Sequence, residues 1–212
     1  AGNINLKPEK SNYYAINGEF MSRLFSISAT AYINNLDNLI TSKQVALTET
    51  DIANSISKRM EYRNVDKARV KGVDISINSY LGYGVSLGGS YSYADAKDTN
   101  TDSRLPRSIK HSGSINSNWN KVWGFYTLNV NLAGRLQSER FETGTYGNAP
   151  GYQLWNLSTR HTFNNLANFI LEPGIGVENI FNYRDDRPYN SNYATLSPGR
   201  TFYVSLLLKF RK

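Results

Sequence analysis

From Thr201 to Phe210 apolar and polar residues alternate. Phe202, Val204, Leu206, Leu208 and Phe210 fall on one side of an extended chain; Thr201, Tyr203, Ser205, Leu207 and Lys209 fall on the other, with Leu207 the exception. A period of two marks a β-strand whose two faces meet different surroundings. The pattern recurs at Phe25, Ile27, Ala29, Ala31 and Ile33 against Ser26, Ser28, Thr30 and Tyr32, and at Val73, Ile75, Ile77 and Leu81 against Asp74, Ser76, Asn78 and Tyr80. It returns at Val85, Leu87, Tyr91 and Tyr93 against Ser86, Gly88, Ser90 and Ser92, and at Tyr126–Leu132. Weaker versions run through Asn12–Phe20, Ile109–Trp119, Gly151–Phe163 and Phe169–Phe181. Together they predict about nine strands, helical periodicity winning in none of them, and so an all-β fold.

The polar face says where such a sheet sits. In a soluble sandwich the outer face meets bulk water and carries Lys and Glu, whereas here Ser, Asn, Gly and Thr dominate it. An apolar exterior against lipid and a hydrated lumen fit that composition better. Ten residues at about 3.3 Å each, tilted by roughly 40°, rise about 25 Å, the height of a barrel's apolar band.

Connection lengths point the same way. Short turns are predicted near Met21–Arg23, Gly82–Gly84, Asn120–Val122 and Asn164–Asn168, and long loops near Asn34–Tyr62, Ala94–Leu105, Ser138–Pro150 and Asn182–Gly199. Their strict alternation puts all short turns on one rim of an antiparallel up-and-down transmembrane β-barrel and all long loops on the other. With the short turns periplasmic, the last strand descends and the C-terminus is periplasmic. Trp119 and Trp123 are expected to flank one short turn, with Tyr91 and Tyr93 at the far end of their strand, as two aromatic girdles require.

Composition changes this picture little. No run of 18 or more apolar residues exists, so no transmembrane helix is available. The start at Ala1 has neither the basic stretch nor the apolar stretch of a signal peptide. Cys is absent, which removes a disulfide scaffold and any thiolate metal site. Lys and Arg outnumber Asp and Glu by 24 to 17, a net charge of +7. These cations are dispersed rather than gathered in the stripe that a nucleic-acid binder shows.

Catalytic chemistry is thin. His111 and His161 lie in predicted strands with no GxSxG or HExxH motif near either, and read as rim or girdle residues. Asp185, Asp186, Ser191 and Tyr193 share one long loop, but nothing brings them to a histidine, and solvated ion pairs suffice for Asp185-Asp186-Arg187. Gly82/Gly84 and Gly88/Gly89 precede no helix and cannot form a phosphate cradle. No catalytic residue, metal ligand or cofactor site is expected. If ligand contacts exist they fall on long-loop residues, Tyr146, Arg187, Tyr189 and Tyr193, whose rings and guanidinium suit a planar or anionic solute.

Two stretches carry a family resemblance. Gly2-Asn3-Ile4-Asn5-Leu6-Lys7-Pro8-Glu9 resembles the GNPxLKPE box of TonB-dependent receptors, with Ile4 where Pro is usual. Val177-Glu178-Asn179-Ile180-Phe181-Asn182 and, further on, Pro198-Gly199-Arg200-Thr201-Phe202 resemble the NIFN…PGRT closing segment of the same family. Arg69-Val70-Lys71-Gly72-Val73-Asp74 is similar to a segment often seen there, and Phe210 resembles the terminal aromatic, although Arg211 and Lys212 extend past it. The resemblance spans nearly the whole chain. It implies that residues 1–212 are the C-terminal part of one barrel domain, about the last nine of roughly 22 strands.

The same resemblance implies energised import of a scarce solute of the iron–siderophore, haem or cobalamin type. It implies as partners an N-terminal portion of the barrel with its plug, expected as a separate chain, the inner-membrane TonB complex and a surface lipoprotein, all in an outer membrane whose lipid surrounds the barrel. A passive porin, a structural or adhesin barrel, and a soluble β-sandwich are the alternatives that the residues leave open.

Overall fold

A computed structural model of the chain describes residues 3–142, 147–166, 168–185 and 198–210. Nine strands follow in order: β1 (Lys10–Met21), β2 (Phe25–Val45), β3 (Arg59–Gly82), β4 (Val85–Asp98), β5 (His111–Trp123), β6 (Tyr126–Gln137), β7 (Tyr152–Leu166), β8 (Phe169–Glu178) and β9 (Thr201–Phe210). Each pairs antiparallel with the next, in one sheet of order β1 to β9 without a crossover. One short helix, α1 (Glu49–Ala53), sits between β2 and β3.

The register carries the two faces across the whole sheet. Ile27 opposes Ile77, Ile75 opposes Tyr91, Trp119 opposes Val130, and Ile175 opposes Val204. One residue along, Ser28 opposes Ser76, Asp74 opposes Ser92, Ser90 opposes Ser114, and Asn118 opposes Asn131. These pairings join like to like, because a one-residue slip would bring polar side chains onto the apolar face.

Among the described residues the sheet has no second layer. Among the described residues only Ala68 and Ala149 are buried apolar side chains, while Phe202, Val204, Leu206 and Phe210 are between 71% and 81% exposed. A water-soluble domain buries an apolar face against another element. Among the described residues nothing covers this face, and an apolar outer face is what a transmembrane barrel wall presents to lipid.

Several boundaries differ from those the alternation predicts. Residues 34–62 are not one loop: β2 and β3 stay paired out to Val45 opposite Arg59, and α1 caps the hairpin. Beyond the girdle neither face meets lipid, so the polar contrast disappears while backbone pairing continues. Likewise β4 runs on to Asp98 and the bridge Lys97–Arg104 narrows the predicted loop at 94–105. The turn expected at Asn120–Val122 lies at Gly124–Phe125, so Trp119 and Trp123 share β5 rather than flank a turn. Strand β7 continues to Leu166, into the turn expected at Asn164–Asn168, and β8 ends at Glu178 rather than Phe181.

Candidate functional site

The polar face is a hydrogen-bonded wall. Ser90 and Ser114 hydroxyls lie 2.7 Å apart, and Ser92 donates to Asp74 at 2.6 Å. Asn118 and Asn129 exchange amide bonds at 3.2 and 3.1 Å, and the Asn131 amide donates to Asn116 at 3.3 Å. Neutral donors and acceptors on neighbouring strands satisfy one another and leave a hydrated surface with few fixed charges. Its cations Arg135 and Arg160 stand among these amides and hydroxyls, and Lys209 pairs with Glu172 at 2.8 Å.

The apolar face carries aromatic clusters at two levels. Near the short turns Phe20 contacts Phe25, Trp119 meets Trp123 edge-on, Trp123 stacks on Tyr126 and Tyr126 touches Phe163. At the other level Tyr91 and Tyr93 pack on His111. Both histidines are tied to tyrosines: His111 Nδ1 shares a hydrogen bond with Tyr91 Oη at 2.8 Å, and His161 Nδ1 with Tyr126 Oη at 2.7 Å. An aromatic ring with one polar atom suits the boundary between hydrocarbon and water.

The motif residues act on the long-loop rim. Asn64 and Lys7 form two reciprocal bonds at 2.9 Å, Asn3 donates to the Tyr62 carbonyl, and Glu9 accepts from the Ile40 amide at 2.6 Å. Residues 3–9 thus strap the base of the β2–β3 hairpin. Asn38, with φ of 59°, supplies the kink there, and its carbonyl accepts from Asn64. The pattern of the chain gave no hint of Asn38 or Asn64, since their partners lie 26 to 57 residues away.

The closing motif is a second strap. Asn179 is 4% exposed with φ of 52°; its amide donates to the Tyr183 carbonyl at 2.7 Å and accepts from the Tyr183 N–H at 2.8 Å. Asn182 accepts from the Arg200 N–H, and the Arg200 guanidinium donates to the Ile180 carbonyl at 2.8 Å. The two halves of the motif therefore hold each other across residues 183–199. Asparagine serves at 179 and 182 because both positions need positive φ and a short amide that closes on local backbone.

At the hairpin tip Thr48 and Asp51 form a capping box on α1, and Arg59 donates to Asp51 at 2.9 Å. Bonds from Thr48, then from Arg59, hold the Asp51 carboxyl down at about 2. The four loop residues singled out for ligand contact, Tyr146, Arg187, Tyr189 and Tyr193, lie outside the described residues. Asp186 and Ser191 do too. Among the described residues no group of three or more His, Cys, Asp or Glu side chains could hold a metal ion.

A family model described as "TonB dependent receptor-like, beta-barrel" matches residues 1–202. The chain belongs to that family. Over 116 residues this receptor chain is 34% identical to the vitamin B12 transporter BtuB of Photobacterium profundum, an alignment covering 55% of the chain and 18% of that protein. Among solved structures, the copper transporter OprC superposes with a TM-score of 0.70 at 17% identity, over 98% of the chain and 32% of its own length. The ferric preacinetobactin receptor BauA of Acinetobacter baumannii gives 0.69 at 16% identity, over 94% and 29%. A mutant of the ferric enterobactin receptor PfeA of Pseudomonas aeruginosa gives 0.64 at 22%, over 95% and 31%.

These structural likenesses establish the barrel fold. The receptor chain spans less than a third of the solved structures it matches. Its family is one of outer-membrane receptors rather than enzymes.

Proposed function

We propose that this chain forms the C-terminal wall and outer loops of a receptor that imports a scarce solute of the iron–siderophore, haem or cobalamin type, driven by TonB. The observation that carries the reading is the single-layered sheet with one face apolar from β1 to β9 and the other hydrated. Such a sheet spans a membrane only as part of a closed barrel, because open edges leave backbone groups unpaired in lipid. The free edges of β1 and β9 pair with the remaining strands, and the polar wall faces the lumen and its plug.

The short turns lie in the periplasm with the C-terminus, and the β2–β3 hairpin and the strapped loop at 183–199 lie outside the cell. There Tyr146, Arg187, Tyr189 and Tyr193 contact the solute, through ring faces and a guanidinium. The ligands of similar proteins, vitamin B12, ferric preacinetobactin and ferric enterobactin, support that solute class.

A passive porin is the rival reading. Uptake of radiolabelled cobalamin and ferric siderophore by cells making the complete protein separates them. Energised import stops when TonB is deleted or the proton gradient is collapsed. Uptake that survives both treatments makes the barrel a passive pore.

A further inference from the structure

Beyond the rung where Asp37 faces Lys67, the β2–β3 hairpin leaves the sheet. Strand β1 starts at Lys10 opposite Asp37, and β4 ends at Asp98 opposite Ala68. From Leu39 opposite Val65 to Val45 opposite Arg59, therefore, no third strand among the described residues lies beside the pair. At roughly 3.3 Å per residue this two-stranded ribbon stands about 20 Å out from the wall. A hairpin without a third strand is marginally stable in water. This one also carries a break in its backbone, since Asn38 has φ of 59° where ribbon meets wall. A left-handed residue at that point is a place about which the ribbon can swing.

Residues 3–9 supply what the sheet does not. They lead into β1, two strands away from β3, yet they bond to both strands of the ribbon. On β2, Glu9 accepts the Ile40 N–H at 2.6 Å, and the Asn38 amide donates to the Pro8 carbonyl at 3.4 Å. On β3, the Asn64 amide oxygen accepts the Lys7 N–H at 2.9 Å, and its nitrogen donates to the Lys7 carbonyl at 2.9 Å. The same nitrogen donates to the Asn38 carbonyl at 2.6 Å, and Asn3 donates to the Tyr62 carbonyl at 2.9 Å. Asn64 is the hub, because one side chain joins the strap, the kink and β3. Only an amide can accept and donate there at once.

The strap lies on the mouth side. Strand β3 runs from Arg59 to Gly82, so Tyr62 and Asn64 fall in step with Ala68, Gly72 and Asp74 on the lumen face. Ser42 faces Tyr62 and Gln44 faces Met60 on that same side, with Tyr62 55% exposed. Arg59, Glu61 and Arg63 take the other side, Arg59 paired with Asp51 and Arg63 with Glu61. The ribbon turns a neutral face to the mouth and its charges away from it.

We propose that residues 3–9 latch the β2–β3 hairpin at a fixed angle over the outer mouth, with Glu9, Asn38 and Asn64 as positioning residues that hold its neutral face where the solute enters. The latch deepens the proposed import function and rests on that orientation of the barrel. A hairpin already in its binding position loses no freedom on capture, and apparent affinity falls in proportion to the latched fraction. Each bond of the strap is worth about fivefold in the ratio of latched to free hairpin. Asn64→Ala removes three of them and lowers that ratio on the order of a hundredfold.

The test uses the complete protein in lipid nanodiscs. Spin labels on Ile52→Cys at the hairpin tip and Thr101→Cys on the β4–β5 loop report their separation by pulsed electron resonance. Wild type gives one narrow distance. Asn64→Ala and Glu9→Ala broaden it, whereas Glu9→Gln, which keeps an oxygen for the Ile40 N–H, leaves it narrow. Heat-modifiable mobility of the barrel stays the same in all three. Haemin, cobalamin and ferric enterobactin serve as solute probes, and affinity for the one that wild type binds falls about tenfold in Asn64→Ala. Glu9→Gln binds it as wild type does. Unchanged distances in both alanine variants overturn the latch. Broadened distances with unchanged affinity overturn the positioning role. Should wild type bind none of the three probes, the solute reading fails by itself, and the distances still decide the latch.

Discussion

Gly84 closes the turn between β3 and β4, where Gly82, Tyr83 and Gly84 have φ of 85°, 52° and 84°. Asn120 on β5 donates its backbone N–H to the Gly84 carbonyl at 2.8 Å, and the Trp119 indole donates to the Tyr83 carbonyl at 3.3 Å. A Cβ on Gly84 would overlap the Asn120 carbonyl oxygen, which is main chain and cannot rotate aside. Gly84→Ala therefore carries two costs. Positive φ in an L-residue costs about 1 to 2 kcal/mol. Relief of the overlap separates the turn from β5 and loses the two hydrogen bonds, about 1 kcal/mol each.

The sum is about 3 to 4 kcal/mol, or a few hundredfold in the folding equilibrium. Gly82→Ala is the control, since its φ is equally positive but nothing lies within 4 Å of the added carbon. It loses only the backbone share, about 1 to 2 kcal/mol. Urea unfolding of the complete protein in lipid vesicles, followed by tryptophan fluorescence and heat-modifiable gel mobility, measures both variants. Equal destabilisation of the two would refute the packing argument at Asn120.

Asn179→Ala removes two side-chain bonds to the half-buried Tyr183 backbone, at about 1 to 3 kcal/mol, read as earlier proteolysis between residues 180 and 199. Asn182→Asp keeps the acceptor for the Arg200 N–H and leaves that loop protected. The capping box at the hairpin tip depends on ionised Asp51, whose pKa is lowered to about 2. A depressed carboxyl pKa contributes stability above its unfolded value near 3.9, so exchange protection around α1, taken relative to the intrinsic amide rate at each pH, holds from pH 7 to 4 and falls as pH drops towards 2. Tyr146, Arg187, Tyr189 and Tyr193 replaced together by Ala weaken solute binding at least about tenfold, one lost contact's worth of affinity. They leave heat-modifiable mobility unchanged, because the barrel wall is untouched.

How much of this was legible in the sequence depends on where each residue meets lipid. From Val73 to Ser79 and Thr201 to Phe210 one face is hydrocarbon and the other water, so alternation marks the strands and their register. From Leu39 to Val45 both faces are wet, alternation vanishes, and paired strand looked like loop. The motif at residues 2–9 was recognisable by resemblance, but its work depends on Asn38 and Asn64, which pair through tertiary contacts that no local pattern encodes. Trp119 and Trp123 do not flank a turn as the alternation suggests: they touch each other within β5, because Gly124 with φ of 57° sets the turn, not Asn120.

The most direct test places single cysteines at Ile75, Ser76, Val204 and Ser205 and labels each with a bimane in the complete protein in lipid vesicles. Nitroxide-lipid quenching should alternate, strong at Ile75 and Val204 and weak at Ser76 and Ser205, with a water-soluble quencher giving the reverse. Equal water access at all four positions would contradict a membrane-spanning wall.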